Sequence, residues 1–200
     1  MSVGVRANNP FFEAEPGGRE AAPGPLALVQ AFVNTGVAER GWDAIGEQGS
    51  LRLWLAKREL LAEGVPVEDD DVGRAREVRE ALRALLVCNN GRGVDPAAVG
   101  TLNRAAERAK LSIRFGADGR SALEAGAGGV DGALGHVVAA VHSGMGEGAW
   151  GRLKACANEE CRWAFYDRSK NRSGRWCSMG VCGNRSKTRA YRRRTSDRAP

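Results

Sequence analysis

The sequence predicts an α+β fold, mostly helical over its first three quarters with one small β-hairpin, then a compact cysteine-bearing module. Three observations predict it. Apolar residues recur at helical spacing through most of residues 26–143, the period switches to strict alternation between 111 and 124, and four of the five cysteines fall between 156 and 182. The 42% hydrophobic and 27% charged fractions are those of an ordinary globular protein, and no stretch approaches the ~20 consecutive apolar residues that cross a bilayer.

Residues 1–25 are rich in Gly, Pro, Ala and Glu without an apolar period, which predicts a disordered segment. They lack a basic start with an unbroken apolar run, so the chain is expected in the cytoplasm, a reducing compartment in which cysteines are metal ligands or thiols rather than disulfides. The first helix is expected from Leu26 to Thr35, carried by Leu26, Val29, Phe32 and Val33 and stopped at Gly36. Ser50 reads as the cap of a second helix bearing Leu51, Trp54, Leu55 and Leu61.

Asp69, Asp70 and Asp71 open the longest helix, where their charge suits the positive helix start; Val72, Ala75, Val78, Leu82, Leu85 and Leu86 form its stripe and Asn90-Gly91 ends it. Asp95-Pro96 reads as cap and first residue of a helix to about Ala109. Leu111, Ile113 and Phe115 alternate ahead of an Asp118-Gly119 turn, which predicts a hairpin closing through Ser121 to Glu124. Val130, Leu134, Val137, Val138 and Val141 mark a last helix, and residues 143–148 have turn composition. The expected units are thus a disordered segment over 1–25, a mostly helical domain over 26–145, the cysteine module over 150–194, and a tail over 195–200.

Cys156 and Cys161 are separated by four residues, as are Cys177 and Cys182, with fifteen residues between the pairs. That spacing lets a chain fold around one tetrahedral Zn²⁺ with each pair donating two thiolates; reduced thiols in a small core or two disulfides are the competing arrangements. Four sulfur ligands leave no open position for water, so the one zinc is structural. Between the pairs, 162–167 reads as a strand returning through Arg175-Trp176, and Ser178 as the cap of a helix that continues past Cys182. Knuckle, hairpin and helix in that order make a treble-clef-like zinc finger, and loss of one cysteine is expected to unfold this module alone.

Charge separates the two parts. Residues 151–200 hold 14 Lys and Arg against 4 Asp and Glu, whereas the first 150 hold 16 against 20. A cationic surface of that density suits a polyanion. The candidate nucleic-acid contacts are Arg168, Lys170, Arg172 and Arg175 around the hairpin tip and Arg185, Lys187, Arg189, Arg192 and Arg193 on the helix, of which Arg185, Arg189, Arg192 and Arg193 share a face. Trp163, Phe165, Tyr166 and Trp176 read more readily as a miniature core than as stacking platforms. Asn34 and Thr35 either line a ligand pocket or end the first helix.

These residues resemble a known family. Cys182-Gly-Asn-Arg185, preceded by Arg175-Trp-Cys-Ser-Met179 and by Trp163-x-Phe165-x-Asp167-x-Ser169, is similar to the CGNR zinc finger of bacterial transcription regulators. Phe32-Val-Asn-Thr35 resembles the opening motif of the ABATE domain, which precedes that finger in stress-induced regulators. The resemblance implies a zinc-dependent regulator whose finger contacts DNA and whose first domain senses a small-molecule effector or forms a homodimer. An RNA-binding role under stress is the alternative, since a basic zinc module serves either polymer. Nothing in the sequence supplies a nucleophile with its base, a phosphate-cradling Gly loop or an open metal site, so no enzyme is expected.

Overall fold

The computed structural model describes residues 20–37 and 41–189. The predicted elements appear in their expected order, with β1, β2 and β5 added to them: α1 (Leu26–Val33), β1 (Gly36–Val37), β2 (Trp42–Asp43), α2 (Gln48–Ala56), α3 (Asp69–Cys88), α4 (Pro96–Arg108), β3 (Leu111–Phe115), β4 (Ser121–Ala125), α5 (Gly129–Gly146), β5 (Leu153–Ala155) and β6 (Ala164–Tyr166). The strands form three separate antiparallel pairs, β1–β2, β3–β4 and β5–β6. The fold is therefore α+β, as predicted.

Local chemistry explains the boundaries. Asp95 accepts a hydrogen bond from the Ala97 N–H, with Pro96 at the first helical position. At α3 the cap is Glu68, and its backbone N–H bonds to Asp71 in a reciprocal capping box. Ser50, expected as the cap of α2, lies three residues inside the helix instead and closes the same kind of box with Glu47. The β1–β2 pair, two residues per strand, is too short to leave a period in the sequence.

The core gathers the stripes of α1, α2, α3 and α5, with Phe32 against Trp54 at a ring-centroid distance of 5.4 Å. Of residues 20–25, expected within the disordered segment, Ala22 is buried here, and its N–H bonds to the Gln30 side chain at 2.6 Å, while the other five are exposed. The rest of that segment, residues 1–19, lies outside the described residues, as does the tail over 195–200.

The stretch over 143–148, expected to separate the two units, is for the most part the last turn of α5. A 3₁₀ turn at Trp150–Arg152 follows and leads directly into β5. Leu153 and Ala155 of β5 and Ala164 and Tyr166 of β6 are buried in the same core as α1, α3 and α5. The physical reason lies in composition: β5 and β6 bury all six of their residues, so the pair needs an apolar wall that the metal module is too small to supply.

β6 also pairs differently from expectation. It runs beside β5 in the register Leu153↔Tyr166 to Ala155↔Ala164, not beside residues 175–176. The later segment is reached instead from the end of β5, through the bond from the Ala157 N–H to the Arg175 carbonyl at 2.8 Å.

Candidate metal centre and nucleic-acid interface

The two cysteine pairs converge. The sulfurs of Cys156, Cys161, Cys177 and Cys182 lie within 4.8 Å of one another, all buried. Cys161 to Cys177 and Cys177 to Cys182 are each 3.7 Å apart. A tetrahedral zinc with sulfurs at about 2.3 Å sets neighbouring sulfurs about 3.8 Å apart, whereas a disulfide needs about 2.05 Å. The spacing fits one zinc and no disulfide.

Electrostatics agrees. Hydrogen bonds from Cys161 and Cys177 hold the Cys156 thiol down to about 2. The thiolate so formed then pushes Cys161 up to about 12, and Cys177 upward as well. Four such groups cannot all ionise in one buried site without a cation, and a zinc ion supplies that charge.

The surrounding shell orients these ligands. Backbone N–H groups of Cys177 and Asn158 bond to Cys156 and that of Trp163 to Cys161, while the Asn158 amide reaches Cys182 at 3.9 Å. Arg162, just after the first knuckle, takes the left-handed conformation (φ 50°) that turns the chain back toward β6. Trp163 and Phe165 are buried against the cluster, with Trp42 and Trp176 partly buried beside them. Trp42 comes from β2, so the first unit contributes to the metal's apolar shell. Past Cys177, Ser178 accepts from the Val181 N–H, a π-helical turn spans Met179–Gly183, and residues 184–189 are helical.

The family comparison matches this geometry. Residues 152–195 match the CGNR zinc finger, and residues 26–144 match ABATE, described as "Putative stress-induced transcription regulator". The chain belongs to the ABATE family. No curated protein is significantly similar to it. Cys156, Cys161, Cys177 and Cys182 form the zinc site of a CGNR finger, and the zinc is structural. Among the described residues, no helix is long and apolar enough to cross a membrane.

The ABATE unit holds its finger by backbone groups. Asn34, within the residues matched to ABATE, is buried and donates to the Ala164 carbonyl at 3.0 Å while accepting from the Ala164 N–H at 2.8 Å. Its amide thus acts as a third strand's edge for β6. Thr35 donates to the Phe32 carbonyl at 2.7 Å, which ends α1. Asn34 and Thr35, the candidate pocket residues, therefore face the finger and the helix end.

Three further side chains, of which the sequence marked only Asn90 and that as a helix end, reach the same junction. Arg83, buried on α3, donates to the carbonyls of Arg162 (2.9 Å), Val33 (2.6 Å) and Gly36 (3.0 Å). Asn89 donates to the carbonyls of Trp150 and Leu153, and Asn90 to that of Ala155. The available signal was Arg79 and Arg83 four residues apart, each directly following a stripe residue of α3. Arg79 is buried too and meets Asp43 in a bidentate pair at 2.6 and 2.9 Å.

The finger's cations fall into two groups. Lys154 is buried and points inward, donating to Asp167 at 2.9 Å, to the Gly174 carbonyl at 3.2 Å and to the Arg172 carbonyl. Asp167 also accepts from the N–H groups of Ser169 (3.0 Å) and Gly174 (2.7 Å). Burial opposes its charge, but Lys154 and these donors outweigh it and hold the carboxyl down to about 2. This pair folds the 168–174 loop, and the side chains of Arg168, Lys170, Arg172 and Arg175 stand exposed around it.

Local contacts bias some of these. Arg168 donates to the Ala21 carbonyl at 2.9 Å and pairs with Glu20 at 3.1 Å, and the Arg175 guanidinium lies 6.0 Å from the Trp176 ring centre. On the helix, Arg185 and Lys187 are exposed, whereas Arg189 turns back to Glu160 at 2.5 Å and Asn158 at 3.4 Å. The Arg189–Glu160 pair is half exposed, 48% and 55%, so water already screens it. Arg192 and Arg193 lie outside the described residues.

A cleft of about 880 Å³ opens where the two units meet, lined in part by Trp42, Arg76, Glu77, Glu159 and Arg162. It adjoins the knuckle through Glu159 and Arg162, and the Arg83 bond to the Arg162 carbonyl lies at its wall.

Proposed function

We propose that this protein regulates transcription by binding DNA through its zinc finger, with the ABATE unit as the rigid support that fixes the finger's orientation. One observation carries the reading. The buried Lys154–Asp167 pair uses one cation to fold a loop that presents Arg168, Lys170, Arg172 and Arg175 outward, and the helix of the same finger exposes Arg185 and Lys187. Cations gathered this way are matched by phosphates, with Arg as the residue that also reaches guanine edges. Arg189 joins them by exchanging Glu160 for a phosphate, and Arg192 and Arg193 are included as contacts on the sequence pattern alone. In this reading residues 26–145 support and regulate, and residues 150–194 bind. We assign an effector to the junction cleft, because a ligand there would touch both the ABATE unit and the knuckle.

Affinity measured against salt tests the binding. Six to eight phosphate contacts give a log–log slope of about −5 to −7, and a slope near zero overturns the proposal. Structured RNA competing better than duplex DNA at equal salt would replace DNA with RNA as the partner.

A further inference from the structure

The β3–β4 hairpin stands apart from the finger and is used by nothing described above. Its base is fixed: Leu111 and Ala125 pack on α5 at Gly135, where an added Cβ would sit 2.6 Å from the Ala109 Cβ and 3.0 Å from that of Ala125. Beyond the base the hairpin is open. Ile113 and Phe115 are 63% and 78% exposed, and among the described residues β3 pairs with β4 only.

The phase of the ladder decides which backbone groups are available. Gly126 N–H to the Lys110 carbonyl (3.3 Å) and Gly116 N–H to the Arg120 carbonyl (2.8 Å) bracket it, so residues 110, 112, 114 and 116 turn their N–H and C=O toward β4. Leu111, Ile113 and Phe115 therefore direct theirs outward. The same three residues carry the apolar side chains, and the strand LSIRF is symmetric in polarity about Ile113. Of the devices that normally blunt an exposed edge, β3 has only the charge of Arg114, on the face away from Ile113: it has no Pro and no Lys, and its five-pair register runs without a bulge.

We infer that β3 is a self-pairing edge, by which two copies of this chain join antiparallel about a two-fold axis at Ile113 into a continuous four-stranded sheet. The chain's own pattern selects this occupant. Two-fold pairing places Ile113 opposite Ile113 of the second copy and Leu111 opposite its Phe115, so every outward N–H and C=O of β3 finds a mate. On the other face it places Arg114 directly opposite Ser112 of the second copy, with its like-charged neighbours Lys110 and Arg114 only at the diagonal positions. Pairing through β4 would instead set Glu124 against Ala122 and leave the Phe115 face open. An isologous contact of this kind closes at two copies and leaves no growing edge of the same type.

Sedimentation equilibrium of the full zinc-loaded chain, without nucleic acid, tests this independently of the DNA reading. The expected mass is twice the 21.3 kDa of one chain. Ile113→Lys places two ammonium groups at the axis and should weaken the dimer at least about tenfold, equivalent to about 1.4 kcal/mol. Phe115→Lys, at the strand's far end, should do the same and guards against a folding defect at 113. Ala122→Lys, on β4 and the opposite face, should leave the mass unchanged, with zinc content and far-UV circular dichroism as checks on folding. A wild-type monomer at about 0.1 mM, a dimer indifferent to both β3 variants, or one lost equally in Ala122→Lys would overturn the inference.

Discussion

Replacing Asn34 with Ala tests how the ABATE unit and the finger are joined. The substitution removes two hydrogen bonds and leaves the N–H and C=O of Ala164, a fully buried residue, without the partner that Asn34 provides. An orphaned buried group costs about 1–3 kcal/mol. Two such groups, partly relieved by local relaxation, give an expected loss of about 3 kcal/mol from a total that for most domains is about 5–15 kcal/mol. For a chain of this size that is a fall in Tm of about 6–12 °C. Asn34→Asp is the informative companion, because it keeps an acceptor for the N–H but sets a carboxylate against the Ala164 carbonyl. It should destabilise at least as much. The assay is urea unfolding followed in parallel by tryptophan fluorescence, far-UV circular dichroism and zinc release. Because β5 and β6 lie in the main core, the three signals should move together. A loss below about 0.5 kcal/mol with zinc retained, or zinc release well ahead of the helical signal, would refute the account of the junction.

Three further outcomes follow from the same structure. Metal analysis should find one zinc per chain, and Cys161→Ser should lose it and lower the helical signal of the whole chain, not of the finger alone, because Leu153, Ala155, Ala164 and Tyr166 belong to the common core. Asp167→Asn should cost about 2 kcal/mol at neutral pH by urea unfolding, the value of a carboxyl held near 2 against an unfolded value near 3.9. A depressed carboxyl contributes fully above about pH 4 and loses its contribution as pH falls toward 2, so wild type and Asp167→Asn should lose stability in parallel between pH 7 and 5. Gly36→Ala places a Cβ 2.6 Å from the Arg79 Cζ, whose guanidinium Asp43 holds in place, and should cost about 1–3 kcal/mol in thermal unfolding.

Much of the candidate site was legible because its signals are local. Cysteine spacing is a property of a few residues, and it led to the metal centre without knowledge of the fold. Helical stripes and the caps at Asp95 and around Asp69–Asp71 are equally short-range, which is why α3 and α4 begin where the pattern places them. Asn34 was ambiguous for the opposite reason: its partner is 130 residues away, and nothing near it in sequence carries that information.

The sequence by itself determined the order of the five main helices and the β3–β4 hairpin, the zinc ligands and the cationic character of the last quarter, since each depends on spacing or composition within a few turns of chain. The tertiary structure alone decided that β5 precedes the first knuckle and pairs with β6, that Arg83, Asn89 and Asn90 bind the finger's backbone, and that Lys154 is an internal cation rather than a surface one. The physical reason is that burial is a property of two surfaces brought together: until α3 and β5 meet, Lys154 and Arg83 look like any other solvated charge.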